Sequence, residues 1–298
     1  MNEIFTSDLK NNNIDYGKIS QDSIVILYGA DEAYDINFIV PVRGRLNFAK
    51  PMYDSFVDAN ENSPLKIAYT VVEHSELPEH SKFCKNNKIN YIWIKSEPGE
   101  QFNKCLALNF GAMFSMSHAK AFLFHDIDCL IQNDFFIKLQ ENVQNKKCKA
   151  IQCFHGRRVL YLDQETTEKV IANKVSVNEL KLGAPGVSLP MYIGAPGGSI
   201  FIERHLFFRV GGYDPEFFRA NAPEDIFFWE KVCLIDKMEV SDNPEIDLFH
   251  MNHPPTYYDN PYIGHMTQIH EEFKKCTFEE KMELISEKAK LISKYYLW

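Results

Sequence analysis

The stretch Ala121-Phe122-Leu123-Phe124-His125-Asp126-Ile127-Asp128-Cys129-Leu130 constrains this chain more than any other. It opens as an apolar run short enough for a buried strand. It then stops at two carboxylates spaced i, i+2. Acid at the carboxyl end of a buried strand lies where open α/β sheets bind their ligands. Two carboxylates on alternate positions can share one hard divalent cation, or divide between a cation and ligand hydroxyls. A surface turn can carry the same residues, so the neighbourhood has to decide. This is the only Asp-x-Asp in the sequence, and it directly follows an apolar strand.

The elements around it predict the class. Strands are expected at Ile36–Val40, Leu65–Val72 and Asn90–Ile94, with Ile24–Tyr28 as a lead-in arm or edge strand. Helices are expected up to about Ala59, over His80–Asn87, and over Phe102–His118, where Leu106, Asn109, Phe110, Met113, Phe114 and Ser117 recur at helical spacing. Strands alternating with helices imply βαβ units and a mostly parallel sheet. Another helix should start at Asn133-Asp134. The second half is less regular. Ala150–Phe154 and Ser199–Ile202 read as strands, 163–190 as a helix plus a mobile loop, and Arg204–Val210 as a helix ended by Gly211-Gly212. The division expected is an N-terminal arm over 1–34, one α/β domain over 35–265, and a helix over 266–298 packed on its outside.

Three further groups carry chemistry. Pro41-Val42-Arg43-Gly44-Arg45 ends the first strand in a turn with two guanidiniums, which suit phosphate oxygens or a solvated loop. Glu224-Asp225 opens a helix, where carboxylates either complement the macrodipole or, beside a cleft, supply a general base. His250-Met251-Asn252-His253 can turn two imidazoles toward one metal, or cap a structural turn. Two Asp, two His and a diphosphate would suit manganese, which accepts imidazole and oxygen alike. Gly194, Gly197 and Gly198 form a loop that lets backbone approach a ligand. They do not form a dinucleotide fingerprint, and no phosphate loop of the G-x-x-x-x-G-K-[ST] type occurs.

Net charge is -9, which argues against a nucleic-acid partner. The 7 Cys include no Cys-x-x-Cys pair and read as reduced thiols. Residues Met1–Thr6 lack a basic region followed by an apolar one, so no secretory signal is expected. No apolar run approaches a membrane span.

Taken together and in order, these segments resemble the animal β-1,4-galactosyltransferases. Ile39–Arg45 is similar to their Ile-Pro-Phe-Arg-x-Arg opening, and Phe102-Asn103-Lys104 through Leu108-Asn109-Phe110-Gly111 to their Phe-Asn-Arg and Leu-Asn-x-Gly helix. Asp126-Ile127-Asp128 is similar to their Asp-Val-Asp strand end, Glu224-Asp225 to their Gly-Glu-Asp-Asp block, and His250-x-x-His253 to their Met-x-x-His turn. The bacterial chondroitin-polymerase-like transferases share the plan, and His250 with Pro254-Pro255 is closer to their version. The resemblance spans 36–265. It departs at Asn221-Ala222-Pro223, which replaces a Trp-Gly-Gly, at Val42, which replaces an aromatic, and at Pro196 within the glycine loop.

The resemblance implies a GT-A fold and inverting, metal-dependent transfer of galactose or N-acetylgalactosamine from a UDP-sugar to a saccharide acceptor. It implies that Pro41, Val42, Arg43, Arg45, Phe102, Asp126, Ile127, Gly197 and Gly198 hold the nucleotide sugar. Asp126, Asp128, His250 and His253 would ligate Mn2+, with Mg2+ the other candidate. Asp225 would be the base and Glu224 the ligand of sugar hydroxyls. The expected setting is surface polysaccharide synthesis in the cytoplasm, on a saccharide or lipid-linked glycan acceptor, with peripheral contact at the inner face of the membrane. The competing readings are a metal-dependent nucleotidyltransferase or hydrolase, and a non-catalytic carbohydrate-binding protein on the same fold.

Overall fold

The computed structural model describes residues 14–116, 118–156, 158–189, 196–219, 223–254 and 261–295. Ser117, Gly194, Asn221, Ala222 and Pro255 lie outside the described residues. A short helix α1 (Tyr16–Gln21) leads into strand β1 (Ile24–Ile26). Then come β2 (Tyr34–Val42), α2 (Leu46–Glu61), β3 (Ile67–Ser75), α3 (Ser81–Asn86), β4 (Asn90–Lys95), α4 (Lys104–Phe114), β5 (Ala119–His125), β6 (Cys129–Leu130) and α5 (Phe135–Lys146). The second half runs β7 (Ala150–His155), β8 (Val159–Leu162), α6 (Gln164–Ile171), β9 (Val187–Ser188), β10 (Ser199–Glu203), α7 (Arg204–Arg209), α8 (Glu224–Ile235), β11 (Met238–Ser241), β12 (Leu248–His250), α9 (Ile263–Lys275) and α10 (Phe278–Ser293).

The large sheet has the order β1-β4-β3-β2-β5-β10-β7-β11. The pairs β2·β3, β2·β5, β3·β4 and β7·β11 are parallel, so the sheet is mostly parallel as expected. Its strands are apolar on both faces because helices cover both. Along β5, Ala121 and Leu123 join one core with Phe38, Phe56 and Phe136. Phe122 and Phe124 point the other way, into a core with Phe110, Phe207 and Phe228. That is the period of two a strand imposes. The one polar side chain of mid-β2, Asn37, is fully satisfied: it donates to Ser115 Oγ (2.6 Å) and accepts from Thr70 (2.7 Å).

Two readings change. The region 163–190 is more than a helix and a loop: α6 is followed by β9, which pairs with β8, and β8 with β12 and β6 builds a second, four-stranded sheet. The stretch expected as one helix over 266–298 is two, α9 and α10. The break is local chemistry. Thr277 caps α10 and Glu280 returns the bond to the cap, a reciprocal pair that starts a new helix. All 7 cysteines are free thiols. Among the described residues no helix is long and apolar enough to cross a membrane.

Candidate active site

The parallel strands β2, β3 and β5 all end at one edge, and the chemistry collects there. Beyond His125 the chain turns at once: Asp126 donates its backbone N–H to Gly198 O (3.0 Å), and Cys129 N–H bonds Asp126 O (3.1 Å). This turn throws the two carboxylates in different directions, into two clusters.

Asp128 is buried and faces the histidine turn. His253 Nε2 lies 3.1 Å and His250 Nε2 3.7 Å from Asp128 Oδ2. Ligand atoms of the three residues lie within 4.8 Å of one another. Arg45 pairs with the same oxygen and its second nitrogen sits 3.5 Å from His253 Nδ1. Burial opposes ionisation of Asp128, but the His253 hydrogen bond and the charges of His250 and Arg45 prevail and hold its carboxyl well below the usual range. Burial pushes the His250 imidazole down, toward the neutral form a metal needs. One carboxylate and two imidazoles fit a borderline divalent cation such as Mn2+.

Asp126 goes the other way. Lys104 Nζ sits 3.1 Å from Asp126 Oδ1, 3.3 Å from Glu224 Oε1 and 3.1 Å from Asp225 Oδ2. One cation thus gathers three carboxylates, one from the turn after β5 and two from the start of α8. Burial is the first cause raising Glu224, to about 8, with Asp225 adding to it and Lys104 opposing it. Burial also raises Asp225, which Lys104 lowers and Asp126 raises. Glu224 Oε2 is buried and has no hydrogen-bond partner among the described residues, as is true of the Tyr213 hydroxyl beside it. Tyr213, Lys104, Asp126, Gly198 and Asp225 line one small cavity. The cavity has room for about one water molecule, and the acids around it can take up a proton.

Gly197 is fitted to this cluster. A Cβ there would stand 2.0 Å from Asp225 Oδ2. Gly197→Ala is therefore expected to push Asp225 aside and cost about 1–3 kcal/mol, a drop of several degrees in Tm by calorimetry. An unchanged Tm would contradict the contact. Gly198 has φ +90, where L side chains are strained.

The remaining expected residues lie on the neighbouring strand ends. Pro41 and Val42 finish β2, with Val42 buried, and Ile127 is buried between the two acids. Arg43 reaches across to Glu100 O rather than to either acid cluster. Phe102 packs against His74 with ring centroids 6.3 Å apart. Gly44 takes a positive φ that glycine adopts freely, and Arg45 follows at φ 54, a left-handed backbone strained for a residue with a side chain. Asp126, expected to reach ribose or metal, is not in the Asp-His-His group and instead meets Lys104.

Sequence reasoning missed three residues. Lys104 opens α4 just after its cap Asn103, where a cation opposes the helix dipole; that misplacement was its signal. His74 is the last residue but one of β3 and accepts the Asn103 N–H at its Nδ1 (3.1 Å). Burial, together with Arg43 and Arg219, lowers it to about 4 against the pull of Glu100. Glu73 beside it accepts from Ser75, Tyr91, Glu79 N–H and His80 N–H. His80 in turn bonds Gly44 O (2.7 Å), so Glu73 braces the arginine turn.

A family profile described as glycosyltransferase like family 2 matches residues 66–260. No curated protein matches the sequence. Among solved structures, Staphylococcus aureus TarS is similar over 85% of this chain and 42% of that one, at 11% identity and TM-score 0.52. The mannosyltransferase PcManGT of Pyrobaculum calidifontis, in complex with GDP-Man and Mn2+, is similar over 98% and 80%, at 11% identity and TM-score 0.51. The catalytic domain of Drosophila β1,4-galactosyltransferase 7, in complex with xylobiose, aligns over 77% and 74%, at 13% identity and TM-score 0.47.

Proposed function

The chain belongs to the glycosyltransferase like family 2, and from that premise we propose that it moves galactose or N-acetylgalactosamine from a UDP-sugar to a saccharide acceptor with inversion. Its fold is that of the GT-A glycosyltransferases. What carries the reading is the pairing of two clusters across one turn, Asp128 with two imidazoles and Asp126 with the Lys104-bound acids. A nucleotide sugar needs both: one side for its diphosphate, one for its sugar. The GDP-Man and Mn2+ held by the Pyrobaculum enzyme support a nucleotide-sugar donor without choosing the base.

In this proposal Pro41, Val42, Ile127 and Phe102 line the nucleoside site, Arg43 and Arg45 face the phosphates, and Asp126 reaches ribose or sugar. Asp128, His250 and His253 hold the cation. Asp225 takes the proton from the acceptor hydroxyl as that oxygen bonds the anomeric carbon and the bond to phosphate breaks. Glu224 holds sugar hydroxyls, and Gly197 and Gly198 keep the wall low beside them. A bound divalent cation supplies positive charge to the departing diphosphate. The acceptor we propose is a saccharide or lipid-linked glycan of surface polysaccharide synthesis, met at the inner face of the membrane.

The test is a thermal-shift screen of UDP-galactose, UDP-N-acetylgalactosamine, UDP and GDP-mannose, each with and without Mn2+. A ligand at a hundred times its Kd adds about 2.7 kcal/mol, so UDP-sugars should raise Tm by several degrees when Mn2+ is present. If only GDP-mannose stabilises, the donor is wrong. If nothing stabilises in either condition, the proposal fails.

A further inference from the structure

The two histidines of the turn are held with unequal security. His250 is the last residue of β12 and is paired on both sides, with Cys129 of β6 and with Tyr161 of β8. Its ring also lies against the Tyr161 ring, centroids 4.7 Å apart. Past His250 the ladder ends, and two backbone donors fix the path to His253. Met251 N–H bonds Asp128 O (2.8 Å), tying the turn to the loop that carries the carboxylate. Asn252 N–H bonds Thr167 Oγ1 (2.8 Å), a side chain 85 residues away in sequence.

Thr167 is 1% exposed. Its helix α6 is itself pinned: Asp163 accepts the Thr166 N–H (2.7 Å) at the cap, and Asp163 N–H bonds Gly186 O (2.8 Å). The hydroxyl is thus a fixed acceptor aimed at the Met251–Asn252 peptide, one residue ahead of His253. From this geometry we propose that Thr167 is a positioning residue for the metal turn, acting through Asn252 N–H to set His253. The proposal rests on the reading of Asp128, His250 and His253 as cation ligands.

Valine keeps the shape of threonine and removes the acceptor. The Asn252 N–H then either stays unpaired in its half-buried site or draws the turn toward water; a donor kept from both protein and water partners is costly, so the turn yields. His253 moves with it, while His250 stays on its strand. Changing groups that orient metal ligands costs about 10–100-fold in metal affinity. Thr167→Val should therefore weaken Mn2+ binding by about 10-fold or more in the full chain, read by electron paramagnetic resonance of free Mn2+. Thr167→Ser restores the acceptor and should bind within about 2-fold of wild type. In a His253→Ala background, Thr167→Val should add less than about 2-fold, because its effect runs through the missing ring.

Wild-type affinity in Thr167→Val, or an undiminished penalty in the His253→Ala background, overturns the inference while leaving the metal reading intact. Wild-type protein that binds no Mn2+ overturns the metal reading itself and the inference with it. Thr167→Ala stands in for the valine variant if that one fails to fold, with the same expected loss.

Discussion

Asp128→Ala is expected to weaken Mn2+ binding by at least about 100-fold, and Asp126→Ala by no more than about 10-fold. The two acids are two residues apart, and composition gives no reason for such a difference. The backbone turn after β5 does. It aims Asp128 at His250 and His253, the single Asp-His-His group found among the described residues, and aims Asp126 at Lys104. Removing Asp128 takes away the only carboxylate of the donor set and leaves the Arg45 guanidinium nearby. Two unit charges about 4 Å apart interact by about 4 kcal/mol even at an effective dielectric of 20. A cation entering that site would then face a like charge without its counter-ion. Asp126→Ala leaves the group whole. Mn2+ titration measures both constants, and UDP-induced thermal shifts with and without Mn2+ supply an independent reading. Equal losses for the two variants would show that both acids ligate the cation and that this division is wrong.

What could be read in the sequence is what short-range chemistry writes there. The β5 run was legible because a strand covered on both faces is apolar without interruption. The acids at its end were legible because a strand terminus and two carboxylates fall within ten letters. Glu224-Asp225 and His250-x-x-His253 were visible for the same reason. What joins these motifs was not. Lys104 bonds Asp225 across 121 residues, and Thr167 bonds Asn252 across 85. No spacing rule reaches that far, and only the folded sheet brings such partners together. The second sheet escaped because β6, β9 and β12 are two or three residues long, too short to show a period. The break between α9 and α10 was readable, since Thr277-Phe278-Glu279-Glu280 is a capping-box pattern. There the amphipathic run on both sides outweighed a cap that decides the matter locally.

Asp225→Asn is expected to cut kcat by about 100- to 10,000-fold, the range for losing a general base, while Mn2+ and UDP binding stay within about 2-fold of wild type. The binding half is expected because Asp225 faces Lys104 and Gly197, not the histidine turn. Lys104→Met gives a complementary result through pH. Burial raises Glu224 and Asp225, and Lys104 is the cation that opposes it. A base works only when ionised, so wild-type kcat should rise with pH along an acidic limb. Without Lys104 the ionised forms lose their counter-charge, and that limb should move to higher pH. Stability must move in the opposite sense. A carboxyl raised in the folded state stabilises most below its unfolded value and loses that contribution as pH rises through the folded one. For Lys104→Met, Tm should therefore fall more steeply than wild type as pH climbs from about 4.5 toward about 8. Steady-state kinetics and calorimetry across that range test both signs in one variant. If Asp225→Asn keeps turnover within about 10-fold, no acceptor hydroxyl is being deprotonated there. A metal-dependent hydrolase or nucleotidyltransferase on this fold would then replace the transferase as the better account of the site.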